Sequence, residues 1–383
     1  MGVVELLAKA LAEVGVDTEG VDLESAASRR IFRVGRFEDL HYVSFRRQFR
    51  GVPEGSAVVF AGGESRIVWG YPPIRRVLLP RVAIPKWFPG PSVVVEEKMN
   101  GYNVRVFEAG GKIYAVTRGG LICPYTTRRL RRLHGDGLAS MLEDLGPDHY
   151  VAGEVVGLEN PYTRYYYEES PRFGYFVFDI FRGRERLAPR EKYRIAPEYG
   201  LRTVRMLGEI KAGEDGAERL KAIVEELERE GREGVVLKDP ESRVEPLKYT
   251  TSHTNIGDLR LGMQFPFEEG RSFLFSRILR EAFKEWEEGA RRYYELGSAI
   301  LEPAIESIDR VSRGEGVYEE FELELGGVEE SEEVLTFFAS LGVSLEVVRV
   351  ERGRDGVRAV FRKPRKSGAE ISWILRTGLS PLD

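Results

Sequence analysis

Apolar side chains recur at helical spacing in Val3-Val4-Glu5-Leu6-Leu7-Ala8-Lys9-Ala10-Leu11 and stop near Gly15, which predicts a short opening helix. Over residues 57–91 the pattern changes to brief Val, Ile and Leu runs broken by Gly and Pro, and Gly62-Gly63 marks a module boundary. Val93-Val94-Val95, residues 103–107 and residues 112–117 read as strands, with Ala109-Gly110-Gly111 as the turn of a hairpin. Further strands are predicted over 150–156, 173–181, 234–238 and 245–249. One strong helix over 215–230 interrupts them and ends at Gly231 in the favoured C-cap position. After Gly270 the pattern is helical through residue 300, with Phe273, Phe275, Ile278, Leu279, Phe283 and Trp286 as its apolar positions. The tail alternates again: a strand over 317–325, a helix over 332–341 and a hairpin around Arg354-Asp355-Gly356.

These elements predict an α+β chain whose core is an antiparallel sheet. Four modules are expected: an N-terminal one (1–63), a catalytic domain (64–250), a helical one (251–315) and a small C-terminal α+β one (316–383). At 383 residues the chain can bury a sizeable core. It has no apolar run long enough to span a membrane and no basic-then-apolar leader, so a soluble cytoplasmic protein with no membrane partner is expected. One cysteine, Cys123, cannot form an internal disulfide, and His41, His134, His149 and His253 make no ligand pair at helical spacing. That excludes the usual zinc frameworks and predicts that any metal is held by oxygen.

The net charge of −5 argues against a nucleic-acid partner until it is resolved along the chain. Residues 301–346 hold 13 acidic and 2 basic side chains, whereas residues 1–300 hold 45 and 46. The acid is one stretch, which could be a solvated helix face or a surface facing a positive patch of another subunit. Arg outnumbers Lys 45 to 12 and Asn and Gln are scarce, which suggests a hot-living source.

The chemistry-bearing segments follow in order. Glu96-Glu97-Lys98-Met99-Asn100-Gly101-Tyr102-Asn103 lies between two strand-like runs; its Lys-x-x-Gly core is expected about once by chance in such a chain. After it come Thr117-Arg118-Gly119-Gly120, Gly153-Glu154-Val155-Val156-Gly157, Phe176-Val177-Phe178-Asp179-Ile180, Glu233-Gly234-Val235-Val236-Leu237-Lys238 and Pro246-Leu247-Lys248-Tyr249. The series resembles the ordered motifs of the covalent nucleotidyltransferases, the superfamily of ATP-dependent ligases and RNA capping enzymes. DNA ligases and capping enzymes place an acid and an Arg where this chain has Asn100 and Asn103. The Lys98 motif, together with Leu247-Lys248-Tyr249-Thr250-Thr251-Ser252, is similar to the archaeal homodimeric RNA ligases that circularise single-stranded RNA. Those ligases follow the catalytic domain with a helical dimerisation module and a small C-terminal domain.

The resemblance implies an ATP-dependent RNA ligase that joins 5′-phosphate and 3′-hydroxyl ends through a lysyl-AMP intermediate, with ATP and Mg2+ as cofactors and a homodimer as the assembly. Lys98 would be the nucleophile. A lysine attacks the α-phosphate only as the neutral amine, a form that nearby cations favour. Lys238 and Lys248 would supply those cations and neutralise the developing charge, and Glu233 would be the metal carboxylate. The resemblance also places Glu97, Asn103, Arg118, Glu154 and Phe178 around the nucleotide: Asn103 and Glu154 on the ribose, Phe178 on the adenine, and Arg118 toward the RNA 5′-phosphate. Thr250 stands where nick-sealing relatives have a second lysine.

Each position has a plainer reading. Lys98 could be a surface lysine before a turn, Glu154 a satisfied strand-end carboxylate, Phe178 core packing on one face with Phe176, and Arg118 a solvated strand residue. Arg128-Arg129-Leu130-Arg131-Arg132 and the tyrosines around Arg164 suit phosphate contact and base stacking, or else a solvated helix face and a buried cluster. Residues 358–366 are a further basic candidate. Two other functions stay open: a GTP-using capping enzyme or DNA ligase, and a non-catalytic dimeric RNA-binding protein.

Overall fold

The structure is a computed structural model that describes residues 2–28, 31–268 and 270–380. The opening helix, Val3–Glu13, buries Leu6, Leu7, Ala10 and Leu11 against Phe32, Val43 and Phe45 of a four-stranded antiparallel sheet. That sheet runs in chain order through Phe32–Phe37, Leu40–Phe45, Ala57–Ala61 and Glu64–Val68. Gly62 and Gly63 have φ of 61° and 87° and form the turn between its last two strands. The break at 62–63 is therefore a hairpin turn, which glycine favours, and the first sheet continues to Val68 rather than ending at a boundary at residue 63.

Two larger sheets follow. One contains Tyr102–Ala109, Lys112–Thr117, His149–Val156 and Gly174–Arg182, with two-residue strands at its rim. The other runs Met206–Lys211, Ser92–Lys98, Gly234–Lys238, Leu247–Thr250, Arg75–Arg76 from edge to edge. All main pairings are antiparallel; only the short Arg75–Arg76 and Arg202–Thr203 strands pair in parallel. Each sheet is backed by a helix. Pro124–Leu145 buries Leu130, Leu138, Met141 and Leu142 on the first, and Glu214–Arg229 buries Leu220, Ile223, Val224 and Leu227 on the second. The latter helix carries Glu214 and Asp215 in its first turn and Arg229 in its last, matching its dipole.

Thr251 caps the helix Ser252–Gln264 by accepting from the Thr254 amide at 3.3 Å. The continuous helical pattern predicted up to residue 300 is two helices, Arg271–Glu288 and Tyr293–Ser312, because Gly289 adopts a left-handed φ of 69° and ends the first. The last module is a three-stranded antiparallel sheet, Tyr318–Leu325, Val357–Pro364 and Glu346–Arg352, with helices Glu329–Ser340 and Ser367–Thr377. Its core of Phe321, Leu323, Val334, Phe338 and Phe361 is continuous with Cys123 and Tyr125, so it is fused to the central sheets by shared apolar burial.

The acidic stretch faces arginines of the same chain. Arg128 binds Glu333 through two bonds of 2.8 Å, Arg132 meets Glu330 at 2.8 Å, and Arg172 meets Glu324 at 2.9 Å. The Arg128–Arg132 run is thus neither a solvated face nor a free RNA patch. Arg128 and Arg132 meet the C-terminal module, whereas Arg129 pairs with Glu159 at 3.0 Å and Arg131 with Glu38 at 2.8 Å.

Candidate active site

The strand Ser92–Lys98 lies beside Gly234–Lys238, which lies beside Leu247–Thr250. Register places Glu96, Val236, Lys248 and Arg76 in one row across four strands, and Lys98, Gly234 and Thr250 in the next. Residues two apart share a face, so Lys98, Lys238 and Lys248 all point to one side. On the other sheet Asn103 pairs directly with Glu154. Between the sheets is a cavity of about 500 Å³, bordered by Lys98, Lys248, Asn103, Glu154, Arg118 and Phe178 among others.

Gly234 explains the close fit. Its φ is 149°, and a Cβ there would meet the Tyr249 carbonyl oxygen at 2.2 Å, so only glycine lets these two strands approach next to Lys98. Lys98 Nζ lies 2.7 Å from Glu233 Oε1. Lys248 has no carboxylate partner among the described residues. Burial first, and then the charges of Arg76, Lys98 and Arg118, push its pKa down to about 8. Burial also raises the Glu154 carboxyl to about 8, with Lys98 pulling the other way, so Glu154 is largely protonated at neutral pH. Asn103 Oδ1 is buried without a hydrogen-bond partner in the protein, an acceptor left for a ligand donor.

Two predicted residues are placed differently. The Glu97 side chain is fully buried on the opposite strand face, where Arg205 at 2.7 Å and Arg232 at 3.4 Å hold its carboxylate. Its carboxylate is thus taken up by an ion pair, while the residue still borders the cavity. Lys238 borders the cavity, but its ammonium is held by Glu96 at 2.7 Å, Asp179 at 2.8 Å and the Phe178 carbonyl at 2.6 Å. Burial opposes its charge, yet those two carboxylates outweigh it and raise the pKa above the usual lysine value. Lys238 is therefore a buttress of the floor and not a free cation.

A β-bulge falls between Val177 and Asp179, yet Phe178 stays on the face of Phe176, the register partner of Glu154, and packs against the cluster that holds Phe176. Phe178 turns to the cavity and packs edge-on to Tyr71, with ring centroids 5.4 Å apart. Arg118 borders the cavity on the turn after Lys112–Thr117 and has no carboxylate within 4.0 Å among the described residues. Beneath that turn, Arg105 is wholly buried and donates to the carbonyls of Gly55, Thr117 and Arg118 at 2.9, 2.6 and 3.4 Å, and to that of Trp69. Arg118 is thereby tied to the N-terminal sheet.

Several contributors were missed in the sequence. Lys192 is buried against Glu96 at 2.6 Å, and Asp179 accepts from Tyr71 at 2.6 Å. Asp179 stands in a quoted motif, and that is its local signal. Phe337 and Leu341 come from the C-terminal module to complete the cavity wall, and nothing local to them indicates this. His253 stands apart from the cavity, with Nε2 3.2 Å from the Tyr165 hydroxyl.

A lysine-bearing sheet facing a Glu–Asn pair across a nucleotide-sized cavity defines the fold as that of the nucleotidyltransferase ligases. Residues 91–250 match the RNA ligase family model, and residues 261–373 match that of the Ligase Pab1020 C-terminal region. An archaeal ATP-dependent RNA ligase of known structure is 33% identical, with a TM-score of 0.89 over 99% of this chain and 100% of that one. The uncharacterized protein MJ0414 of Methanocaldococcus jannaschii is 37% identical over 86% of this chain and 85% of its own length. An Aquifex aeolicus protein, provisionally named an ATP-dependent DNA ligase, is 30% identical with a TM-score of 0.85, covering 93% of this chain and 98% of that one. The chain belongs to the archaeal ATP-dependent RNA ligase family.

Proposed function

We propose that the protein is an ATP-dependent RNA ligase that joins 5′-phosphate and 3′-hydroxyl RNA ends through a lysyl-AMP intermediate on Lys98. The observation that carries this is the placing of Lys98 beside the unpaired Lys248, across the cavity from Asn103 and Glu154. Glu233 Oε1, 2.7 Å from Lys98 Nζ, is positioned to accept the ammonium proton. The neutral amine then attacks the α-phosphorus of ATP, a nitrogen–phosphorus bond forms, the bond to the bridging oxygen breaks and pyrophosphate leaves. Lys248 stabilises the charge on the phosphoryl oxygens. Asn103 Oδ1 accepts from the ribose, protonated Glu154 completes that contact, and Phe178 packs on the adenine. Arg118 receives the RNA 5′-phosphate, which takes the AMP; the 3′-hydroxyl then displaces it.

Among the described residues no group of three or more His, Cys, Asp or Glu side chains could cage an ion. The single carboxylate of Glu233 would hold Mg2+ together with the phosphates of ATP, an ion that needs few protein ligands. When bound, the ion would neutralise phosphate charge.

RNA rather than DNA is supported by Asn100 and Asn103 and by the helical module. The Aquifex relative keeps DNA as the second reading, and a 5′-phosphorylated strand of each type distinguishes them. Circles rather than concatemers from single-stranded RNA would establish circularisation. The helices Arg271–Glu288 and Tyr293–Ser312 expose Phe275, Trp286, Tyr294 and Leu301, at 64%, 77%, 84% and 61%, an apolar face suited to the same face of a second copy. Incubation with labelled ATP and Mg2+ should label the protein covalently, and Lys98→Ala should abolish the label. An adduct unchanged in that variant refutes the assignment, and 5′-phosphorylated RNA bound without AMP transfer would indicate a non-catalytic binder.

A further inference from the structure

The row of side chains that begins at the lysine sheet does not end at the cavity. Arg76, on the last strand, is the register partner of Lys248. Its guanidinium donates to Thr250 Oγ1 at 2.8 Å, and Thr250 stands in the Lys98 row. Neighbouring strands are about 4.8 Å apart, so Lys98, Lys248 and Arg76 step from the reacting lysine to the sheet edge over roughly 14 Å. Beyond that edge the helix Arg271–Glu288 brings Arg277 and Arg280 close enough for their charges to act on Arg76.

The carboxylates here are too few. Lys98 takes Glu233 at 2.7 Å and Arg277 takes Asp258 at 2.9 Å. Lys248, Arg76 and Arg280 have no carboxylate within 4.0 Å among the described residues; Arg280 has only the Asn255 amide oxygen at 3.3 Å. Other half-buried guanidiniums, Arg128, Arg132 and Arg365 among them, are matched to acids. Three partly buried, unmatched cations side by side repel one another. Burial together with Arg76 and Arg277 lowers the Arg280 pKa to about 10. Such an arrangement persists where a polyanion completes it.

We propose that Arg76 and Arg280, with Lys248, seat the β- and γ-phosphates of ATP and the pyrophosphate that leaves, so that the helical module takes a direct part in adenylylation. This rests on the lysyl-AMP reading. The direction follows from in-line displacement, which requires the leaving oxygen to lie opposite the attacking nitrogen. The Asn103–Glu154 pair claims the nucleoside side on the other sheet, and Arg118 lies there too. The edge beyond Lys248 is the remaining cationic direction. An RNA backbone is the competing occupant of the same guanidiniums, and the two are separable because only the first step uses a triphosphate.

The test uses the full-length protein and the variants Arg280→Gln, Arg76→Gln and Arg280→Lys. Three quantities are measured: the rate of enzyme–AMP formation from ATP, the inorganic pyrophosphate concentration that half-reverses isolated enzyme–AMP, and the sealing of RNA already carrying a 5′-adenylate, which bypasses ATP. Loss of one charged phosphate contact should slow adenylylation about tenfold or more and raise the pyrophosphate requirement about tenfold in both Gln variants. Sealing of adenylylated RNA should stay within about twofold, and Arg280→Lys should recover part of the loss. Equal falls in adenylylation and in sealing would assign the arginines to RNA and overturn the proposal, as would no change in either. Wild-type protein that forms no adduct would remove the lysyl-AMP reading itself, a result read without any arginine variant.

Discussion

Replacing Glu154 with Gln tests the electrostatics of the cavity. In an unfolded chain this carboxyl has its ordinary pKa of 4.5; in the fold, burial raises it to about 8. Below pH 4.5 both states carry the proton and the site imposes no penalty. As pH rises from 4.5 to 8, the unfolded chain releases a proton that the folded chain keeps, so stability falls, and above 8 the loss levels off. The gap corresponds to at most about 5 kcal/mol. Water entering the cavity screens part of it, and we expect about 2 kcal/mol between pH 5 and pH 9. Gln keeps the shape and cannot ionise, so Glu154→Gln should be more stable than the wild type at pH 9 and nearly equal to it at pH 5. Urea unfolding at both pH values measures the difference. Infrared difference spectra should show a protonated-carboxyl stretch titrating near pH 8 in the wild type and absent from the variant. Parallel stability profiles, with no such band at pH 6, would refute the reasoning.

Gly234→Ala should reduce Lys98 labelling by more than tenfold without unfolding the chain, because its Cβ forces apart the strands that align Lys98 with Lys248; labelling and circular dichroism on one sample check this. The paired change Arg128→Ala and Arg132→Ala should loosen the C-terminal module and weaken ATP binding about fivefold, equivalent to roughly 1 kcal/mol for part-exposed pairs, since Phe337 and Leu341 then leave the cavity wall. Titration of ATP binding, with limited proteolysis between the modules, measures both effects. Trp286→Glu places a charge on the exposed apolar helix face and should halve the mass read by light scattering, leaving Lys98 labelling intact.

What could be read in advance was local. The strands bearing Lys98, Glu154, Lys238 and Lys248 announce themselves through β-branched runs between glycines, and their order along the chain carries the family resemblance. The Arg354–Gly356 hairpin was visible through its turn residues, and the helix predicted over 215–230 through its ending at Gly231. Register and long-range contact were not visible. That Glu97 faces Arg205 while Glu96 and Lys98 face inward depends on which strands flank that one. The bulge at Phe178 depends on an extra residue opposite Gly153 and Ala152. The helix Pro124–Leu145 was obscured because its arginines read as a charge patch, although Pro124 at its first turn and the buried Leu130, Leu138 and Leu142 mark it.

The charge problem is resolved by pairing rather than by totals. A net charge of −5 reports only the sum, and nucleic acids and nucleotides respond to cations that have no internal partner. The acidic C-terminal stretch neutralises Arg128, Arg132 and Arg164, which read as suited to RNA, and Arg172 as well. In doing so it fixes the module that carries Phe337 and Leu341 against the cavity. Among the described residues, the cations bordering or near the cavity that have no carboxylate within 4.0 Å include Arg118 on one sheet, Lys248 and Arg76 on the other, and Arg280 beyond the edge. An acidic segment that takes up those arginines therefore leaves the unmatched positive charge around Lys98, where the proposed reaction needs it to hold a triphosphate and an RNA 5′-phosphate.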